Sequence, residues 1–258
     1  MKISEFELIF RQSYAFCLSS LKSRYRKTLA GFVWVLLNPL LMFGVQSIVF
    51  KKILKIPVPD FYLFLVGGLI PWIFISQTIC MSASILTANS GILKAFRLNP
   101  LVLVNSSYFD NLFNFFIATV IITTPVLIFS DLGPQWGVLL APLALVPMII
   151  GSFALSSLVA VLNVFYRDTS YVLNFIFSIF FFVTPIFYPI EFVPLEFHWM
   201  IEINPFYHLI NPYRFTLYQP LSMALIPLML KAFGWALGLS AVSALYWRKK
   251  KNELFISI

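Results

Sequence analysis

The chain has 258 residues, of which 60% are hydrophobic and 11% charged, with a formal net charge of +8 and a mean hydropathy of +0.90. Because an ordinary soluble domain carries about 25% charged residues, this composition excludes a soluble protein and predicts a polytopic, all-α membrane protein. The positive charge does not require nucleic acid as a partner, since basic residues at the cytoplasmic face of a membrane attract anionic lipid.

The N-terminal segment predicts an amphipathic helix over residues 4–22. It is not a cleavable signal, because it carries charges where a signal has its apolar core. Ser4 and Glu7 form a capping-box pattern. Apolar residues recur at spacings of three and four: Phe6, Phe10, Tyr14, Cys17 and Leu21. A helix of this kind ahead of the first span is expected to lie in the membrane interface.

Apolar segments fill most of the remaining chain, and each is close to the roughly 20 residues that a membrane-spanning helix needs. Six spans are predicted near residues 30–50, 61–81, 109–130, 139–163, 171–189 and 224–246. Together they predict a single transmembrane domain over residues 1–258. Prolines within the spans predict kinks, which membrane helices tolerate where neighbours satisfy the freed carbonyls.

The basic residues orient these spans. Thirteen lysines and arginines fall on the side of the two termini, against four on the opposite side. The positive-inside rule therefore predicts that both termini are cytoplasmic. Three lysines in the first external loop, KKILKIPVPD, oppose this topology. The two cysteines, Cys17 and Cys80, have neither the spacing nor the compartment of a disulfide or metal site, so no metal is predicted.

Two short segments on the predicted cytoplasmic side carry the polar residues between spans. NSGILKAFRLNP, residues 89–100, predicts a short helix that starts at Asn89 or Ser90 and stops before Asn99-Pro100. Its apolar residues are expected to form one face: Ile92, Leu93 and Phe96. In the turn between the fourth and fifth spans, Arg167 is expected to anchor the inside face and Asp168 to cap the fifth helix.

The external segment from Tyr188 to Pro220 has two interpretations. Its five prolines and three glutamates make it too broken for a span, but Trp199 to Ile210 is apolar enough to return into the bilayer. It is either re-entrant or an ordinary loop packed on the bundle. An enzyme site is the least favoured alternative, because His198 and His208 show no H-E-x-x-H or paired-carboxylate pattern.

Four stretches in order resemble the signatures of ABC-2 type permeases that export polysaccharide: RYRKTLAGFVWVLLNPL, FLVGGLIPWIFIS, LNVFYRDTSYVLNFIFSIFFFVTPIFYP and INPFYHLINPYRFTLY. The closest subgroup exports O-antigen, capsule or teichoic acid. The resemblance implies six transmembrane helices, an N-terminal interface helix and a re-entrant external segment before the last span. It also implies a bacterial inner-membrane homodimer that exports an undecaprenyl-pyrophosphate-linked polysaccharide, with export of another lipid or a drug as the alternative.

Energy is expected from two copies of a separate cytoplasmic ATPase. The chain has no G-x-x-x-x-G-K-[ST] loop, so no cofactor is expected in it, and the resemblance assigns ATP and Mg to the partner.

Three residue sets follow from the resemblance, position and charge. The lipid pyrophosphate is expected at Lys22, Arg24, Arg26 and Lys27, although topology anchoring explains the same residues.

The second set would contact the ATPase by packing a helix into a groove. The alternative is that this helix lies on lipid. The residues of the set are Ile92, Leu93, Phe96, Arg97, Arg167 and Asp168. The third set would line or gate the outer end of the channel: Tyr62, Phe64, Tyr188, Pro205, Tyr207 and Arg214. For the aromatic members of this set, an ordinary aromatic belt at the membrane interface is the alternative.

Overall fold

The computed structural model describes the backbone of residues 5–27, 29–133 and 135–257, and the side chains of residues 7–22, 33, 36–133 and 135–254. Regular structure in these residues is entirely helical, which confirms the predicted all-α class. The α-helices are α1 (Glu5–Lys27), α2 (Leu29–Ser47), α3 (Phe61–Ala88), α4 (Ser90–Phe96), α5 (Pro100–Ala118), α6 (Thr124–Ile128), α7 (Ala141–Phe165), α8 (Thr169–Val183), α9 (His198–Glu202), α10 (Pro205–Tyr218) and α11 (Leu225–Ser257).

Short π- and 3-10-helical stretches extend some of these helices. α2 continues as a π-helix over Ile48–Ile53, and Thr119–Thr123 joins α5 to α6 in the same way. A 3-10 helix at Trp136–Leu140 leads into α7. Within the described residues, five helical segments are long and apolar enough to cross a membrane: Leu36–Ile53, Phe61–Ala88, Pro100–Ile128, Trp136–Phe165 and Leu225–Leu254.

The fifth predicted span, 171–189, contains α8, which has only 15 residues and ends at Val183. Thr184 is extended, with φ −82° and ψ 127°, because the ring of Pro185 disfavours a helical residue before it.

The third predicted span, 109–130, also differs from the structure, since its helix α5 begins at Pro100 instead of residue 109. Asn99 caps α5 by accepting a hydrogen bond from the Leu101 amide at 3.1 Å, so the Asn-Pro pair starts α5, whereas α4 has already ended at Phe96.

The N-terminal helix runs past its predicted end at residue 22 to Lys27 and packs on α5. Ser13 and Cys17 are buried in this contact, and the Asn105 amide donates to the Ser13 hydroxyl at 3.3 Å. Tyr14, on the outer face, is 57% exposed. Ser4 and the Phe6 side chain lie outside the described residues. The location of α1 in the membrane interface stays a prediction.

α3 lies at the centre of the bundle, with 78% of its most apolar stretch buried against α5, α7, α8 and α10. Two adjacent glycines allow close approach. A Cβ added at Gly67 would lie 3.1 Å from the Arg214 Cγ, and one at Gly68 would lie 3.0 Å from the Ile186 carbonyl oxygen. The VGG stretch of α3 therefore accommodates both α10 and the bend that follows α8.

A smaller apolar cluster joins the chain segments at one end of the bundle. Its buried residues come from the ends of α3, α7 and α11 and from the 89–104 segment: Leu86, Leu93, Leu98, Leu103, Val104, Ala160, Val161, Val164 and Leu254. The 89–99 segment and the end of α11 thus meet at one end, as alternating spans require. That this end faces the cytoplasm stays a prediction from the basic residues.

α10 enters the bundle between α3, α7 and α11. Phe206, near its start, packs edge-on against Trp72 in the middle of α3, with ring centroids 5.7 Å apart. Leu209 and Tyr213 are almost completely buried. The chain reverses at Asn204, whose side chain donates to the Thr184 hydroxyl at 2.8 Å and accepts from the Phe206 amide at 3.0 Å. The external segment therefore returns into the helical bundle.

Candidate functional site

Polar side chains interrupt the apolar helices on one side of the bundle. Two adjoining cavities of 290 and 390 Å³ share Asn38 of α2 and Gln77 of α3. The first cavity is completed by α5 and the second by α8. Their amide side chains are Asn38, Gln77, Asn111, Asn114 and Asn174. We call the two cavities together the amide groove.

The amide groove lies away from the ends of α3, since Gln77 is near the middle of Phe61–Ala88. Asn38, Gln77 and Asn174 are exposed on its surface. The Thr78 hydroxyl also lines it, is buried, and has no hydrogen-bond partner in the described part of the chain. Asn111 and Asn174 donate to backbone carbonyls of their own helices. Because an amide or hydroxyl left unpaired in an apolar medium costs roughly 1–3 kcal/mol, the exposed amides of Asn38 and Gln77 and the Thr78 hydroxyl suit this face to water, hydroxyl groups or another protein surface instead of lipid chains.

A second site lies at the end of the bundle opposite the smaller apolar cluster. The sequence INPFYHL-INPYRFT, residues 203–216, nearly repeats itself every seven residues. This spacing places polar side chains on one face of α10: Tyr207, Asn211, Arg214 and Tyr218. All four line a cavity of 490 Å³, which we call the outer cavity. Its opposite walls are Pro57–Pro59 with Phe64, and Pro189–Phe192.

Arg214 forms the back of the outer cavity and is only 7% exposed. It donates to the Pro185 carbonyl at 2.5 Å and to the Asn211 side-chain oxygen at 3.2 Å. Its guanidinium carbon lies 4.6 Å from the centre of the Phe64 ring, a cation-π contact. Burial lowers the pKa of Arg214 from its ordinary value, but arginine starts so high that it stays charged. Arg214 thus holds the bend after α8 against α10.

The structure brings together three of the predicted gate residues: Phe64, Tyr207 and Arg214. The other three lie elsewhere. Tyr62 is 42% exposed and neighbours Phe43, with ring centroids 6.4 Å apart. The Tyr188 hydroxyl donates to the Phe182 carbonyl at 2.7 Å, and Pro205 forms the first turn of α10. A gating role for the six stays a prediction.

The predicted coupling helix is present as α4, but its three apolar residues do not share one face. Ile92 and Phe96 are 37% and 71% exposed, whereas Leu93 is fully buried in the smaller apolar cluster. Positions 92 and 96 are one helical turn apart, while 93 is rotated by about 100° from 92. Arg97, exposed in the left-handed conformation with φ 49°, ends the helix.

Arg167 and Asp168 are both exposed in the turn between α7 and α8. The prediction that the Asp168 side chain caps α8 is wrong, because this side chain makes no capping hydrogen bond. Its backbone is helical, with φ −75° and ψ −9°, whereas a capping residue is normally extended. The Thr169 hydroxyl bonds to the Tyr166 carbonyl instead.

Of the predicted pyrophosphate residues, Lys22 is exposed at the described part of α1. The side chains of Arg24, Arg26 and Lys27 lie outside the described residues.

Lys231, the charged residue within the last span, pairs with Glu202 of α9 at 3.0 Å. This hydrogen bond lowers the pKa of Glu202. His208 bonds to the Glu202 carbonyl at 2.8 Å.

The enzyme alternative receives no support from these contacts. His198 bonds to the Val193 carbonyl at 2.9 Å, so each histidine is engaged by a different backbone carbonyl. In the described residues, His, Cys, Asp and Glu form no group of three that could hold a metal ion.

A family model described as ABC-2 type transporter matches residues 11–218 of the chain. This match spans the amide groove and most of the outer cavity. The chain belongs to the ABC-2 type transporter family. It is therefore the membrane subunit of a transporter and not an enzyme, as the sequence predicts.

Two relatives of this ABC-2 permease are both named O-antigen export system permease protein RfbA. The chain is 28% identical over 238 residues to the protein of that name from Myxococcus xanthus, with 90% of each chain covered. It is 27% identical over 197 residues to the O-antigen export system permease protein RfbA of Klebsiella pneumoniae, with 75% of each chain covered.

Hydropathy does not reveal the amide groove of this ABC-2 permease. Each apolar run is hydrophobic enough to resemble a uniform span, and its amides occur singly. The signal was present, because a polar side chain inside a membrane span normally faces the bundle or a cavity. Asn38 and Asn174 even lie within two of the stretches that carry the family resemblance.

Proposed function

We propose that this ABC-2 permease exports an undecaprenyl-pyrophosphate-linked polysaccharide of the O-antigen type across the bacterial inner membrane. The amide groove carries this proposal. A polysaccharide presents hydroxyl groups at every unit, and side-chain amides both donate to and accept from hydroxyls. Amides on an open face at mid-depth suit a polymer that slides past, since they offer hydrogen bonds without a fixed charge. The names of the two relatives support the same substrate class.

A homodimer would convert the open groove into a channel. The groove is bordered by α2 and α8, and α8 exposes Tyr171, Phe175 and Phe182 by 78%, 68% and 66%. A second copy facing these helices would enclose the amides. We propose that the cargo pyrophosphate enters at the basic cluster of Lys22, Arg24, Arg26 and Lys27, where arginine forks suit phosphate oxygens.

Two copies of a cytoplasmic ATPase would supply the energy and bind ATP and Mg. The exposed side chains of Ile92, Phe96 and Arg97 form the proposed docking surface, with Arg167 and Asp168 as a second contact. Leu93 would transmit movement of α4 to the smaller apolar cluster instead of contacting the ATPase itself. ATP can drive export only if the two states of the permease interact differently with the cargo.

Depletion of the permease in its own cells tests this function. We expect lipid-linked polysaccharide to accumulate inside the cell while the surface glycan falls, as measured by extraction of polyprenyl-linked glycan and by surface labelling. The type of glycan lost distinguishes O-antigen from capsule or teichoic acid. An unchanged surface glycan would refute the proposal, and export of a lipid or a drug would become the alternative.

A further inference from the structure

The outer cavity has walls of two chemical kinds. Tyr207 and Tyr218 offer apolar rings with polar tips, Phe64 adds a purely apolar ring, and Asn211 adds an amide. The volume of 490 Å³ lies within the roughly 300–1,000 Å³ of small-molecule sites. Rings that pack against C–H surfaces, next to groups that bond to hydroxyls, favour a ligand with an apolar face and a polar edge.

Opposite charges line the outer cavity without pairing to each other. Arg214 and Glu191 both contribute to its walls, yet within the described residues neither forms an ion pair. The Arg214 guanidinium donates hydrogen bonds to two neutral oxygens, those of Pro185 and Asn211. A guanidinium has five N–H donors, so these two bonds do not use all of them. Glu191 is exposed at the other wall.

This charge arrangement selects among ligands. Glu191 repels an anion and Arg214 repels a cation, so neither kind of ion gains from both walls. A hydroxyl group can donate to the Glu191 carboxylate and accept from the Arg214 guanidinium. A neutral molecule with several hydroxyl groups therefore satisfies both residues, and hydrogen bonds to charged groups are stronger than those between neutral ones.

We infer that the outer cavity is a sugar-binding site, which holds one or two units of the exported glycan by hydroxyl bonds to Arg214, Glu191 and Asn211 and by packing on Tyr207 and Tyr218. This inference rests on the proposed export of polysaccharide. The site lies at the end of the bundle where the predicted topology releases the glycan. It gives the emerging polymer a place to bind after it leaves the amide groove.

Cysteine protection in living cells tests the inference. Gln219 lines the outer cavity and is exposed at the end of α10. We would replace Cys17 and Cys80 by alanine, introduce Gln219→Cys, and measure labelling by a membrane-impermeant maleimide with the ATPase present. In cells that make the glycan, we expect labelling to be largely lost. In cells whose glycan synthesis is blocked, we expect it to return. The control, Leu195→Cys, replaces a residue that is 85% exposed outside the cavity and should label equally in both.

A charge variant identifies the groups that bind. Glu191→Gln in the Gln219→Cys protein should restore labelling in glycan-producing cells and slow export by about tenfold, the effect of one lost charge-assisted hydrogen bond. Glu196→Gln removes an exposed carboxylate of the same segment outside the cavity, and it should change neither quantity.

Equal labelling of the Gln219→Cys protein with and without glycan, while export continues, would overturn the sugar site and leave the export function intact. Protection that persists without glycan would also overturn it, since the loss of labelling would then not depend on glycan.

Discussion

Gly67 determines how closely α10 approaches α3. An added Cβ would lie 3.1 Å from the Arg214 Cγ and 3.3 Å from its Cα, so both a side chain and a backbone would have to move. Arg214 itself is fixed by the Pro185 carbonyl and by Asn211. A single methyl group at this position therefore disturbs α10 and the back of the outer cavity together.

Gly67→Ala should lower the unfolding free energy by about 1–3 kcal/mol, as overpacking in a dense core usually does. The matched control is Gly238→Ala in α11, where an added Cβ meets no atom within 4 Å. The control should be neutral or gain up to about 1 kcal/mol from helix propensity. Melting temperatures of the purified permease in detergent would show the difference, and equal values for the two variants would contradict this account.

At the scale of elements, the Glu202–Lys231 pair fastens α9 to α11. Its side chains are 56% and 52% exposed, so water screens it and its contribution to stability is small. The pair nevertheless explains why a lysine is tolerated within the last span, since a charge near a helix end can pair at the membrane surface. Because α9 leads directly into α10, the pair also restrains the segment that lines the outer cavity.

The pH dependence of stability can reveal this pair. Since Lys231 lowers the pKa of Glu202 below its ordinary value of 4.5, the stabilisation is present above that value and is lost as the pH falls through the folded-state pKa. Wild type should melt above Glu202→Gln at pH 7, and the difference should shrink as the pH falls below 4.5. Glu196→Gln serves as the unpaired control. A constant difference at all pH values would mean that the pair is not the cause.

The short helix α4 makes a separate prediction. Phe96→Asp should abolish copurification of the ATPase, because it places a charge in the exposed apolar surface that we propose as the docking surface. Leu195→Asp changes a residue that is 85% exposed at the other end of the bundle and should retain the ATPase. Intact copurification with Phe96→Asp would show that α4 does not dock through this residue.

At the scale of the whole molecule, the amide groove and the outer cavity suggest one route. The groove lies near the middle of α3 on the side of α2 and α8, and the cavity lies towards the start of α3, between α3, α10 and the 189–192 segment. α3 borders both, through Gln77 and Phe64. A glycan leaving the groove would thus meet the cavity along the same central helix.

Gln77→Leu should slow export by about tenfold, which corresponds to one lost hydrogen bond of about 1.4 kcal/mol. It should not impair membrane insertion, since leucine is more apolar than glutamine. Met81→Leu, which changes a residue that lines the same groove and is already apolar, is the matched control. Surface glycan normalised to the amount of permease in the membrane is the measurement. Export by Gln77→Leu at the rate of the control would exclude the groove as the path.

The sequence by itself determined the features that depend on local composition. Hydropathy predicted the membrane class and the all-α fold, and the residues after Asn89 predicted the short helix α4, although it ends at Phe96, before Asn99 and Pro100. The repeat INPFYHL-INPYRFT contained the polar face of α10 without showing what this face would meet. These features follow from the sequence because hydrophobicity, capping and proline stereochemistry act within a few residues.

Tertiary structure decided which faces meet. It directed Leu93 inward and Phe96 outward, although both are apolar neighbours on α4. It joined Asn38 to Gln77 and Asn174, which are far apart in sequence, and placed Arg214 against Phe64 beside Gly67. The physical reason is that a cavity is formed by surfaces from several helices, and the burial of each side chain depends on its neighbours in space, which no local pattern records.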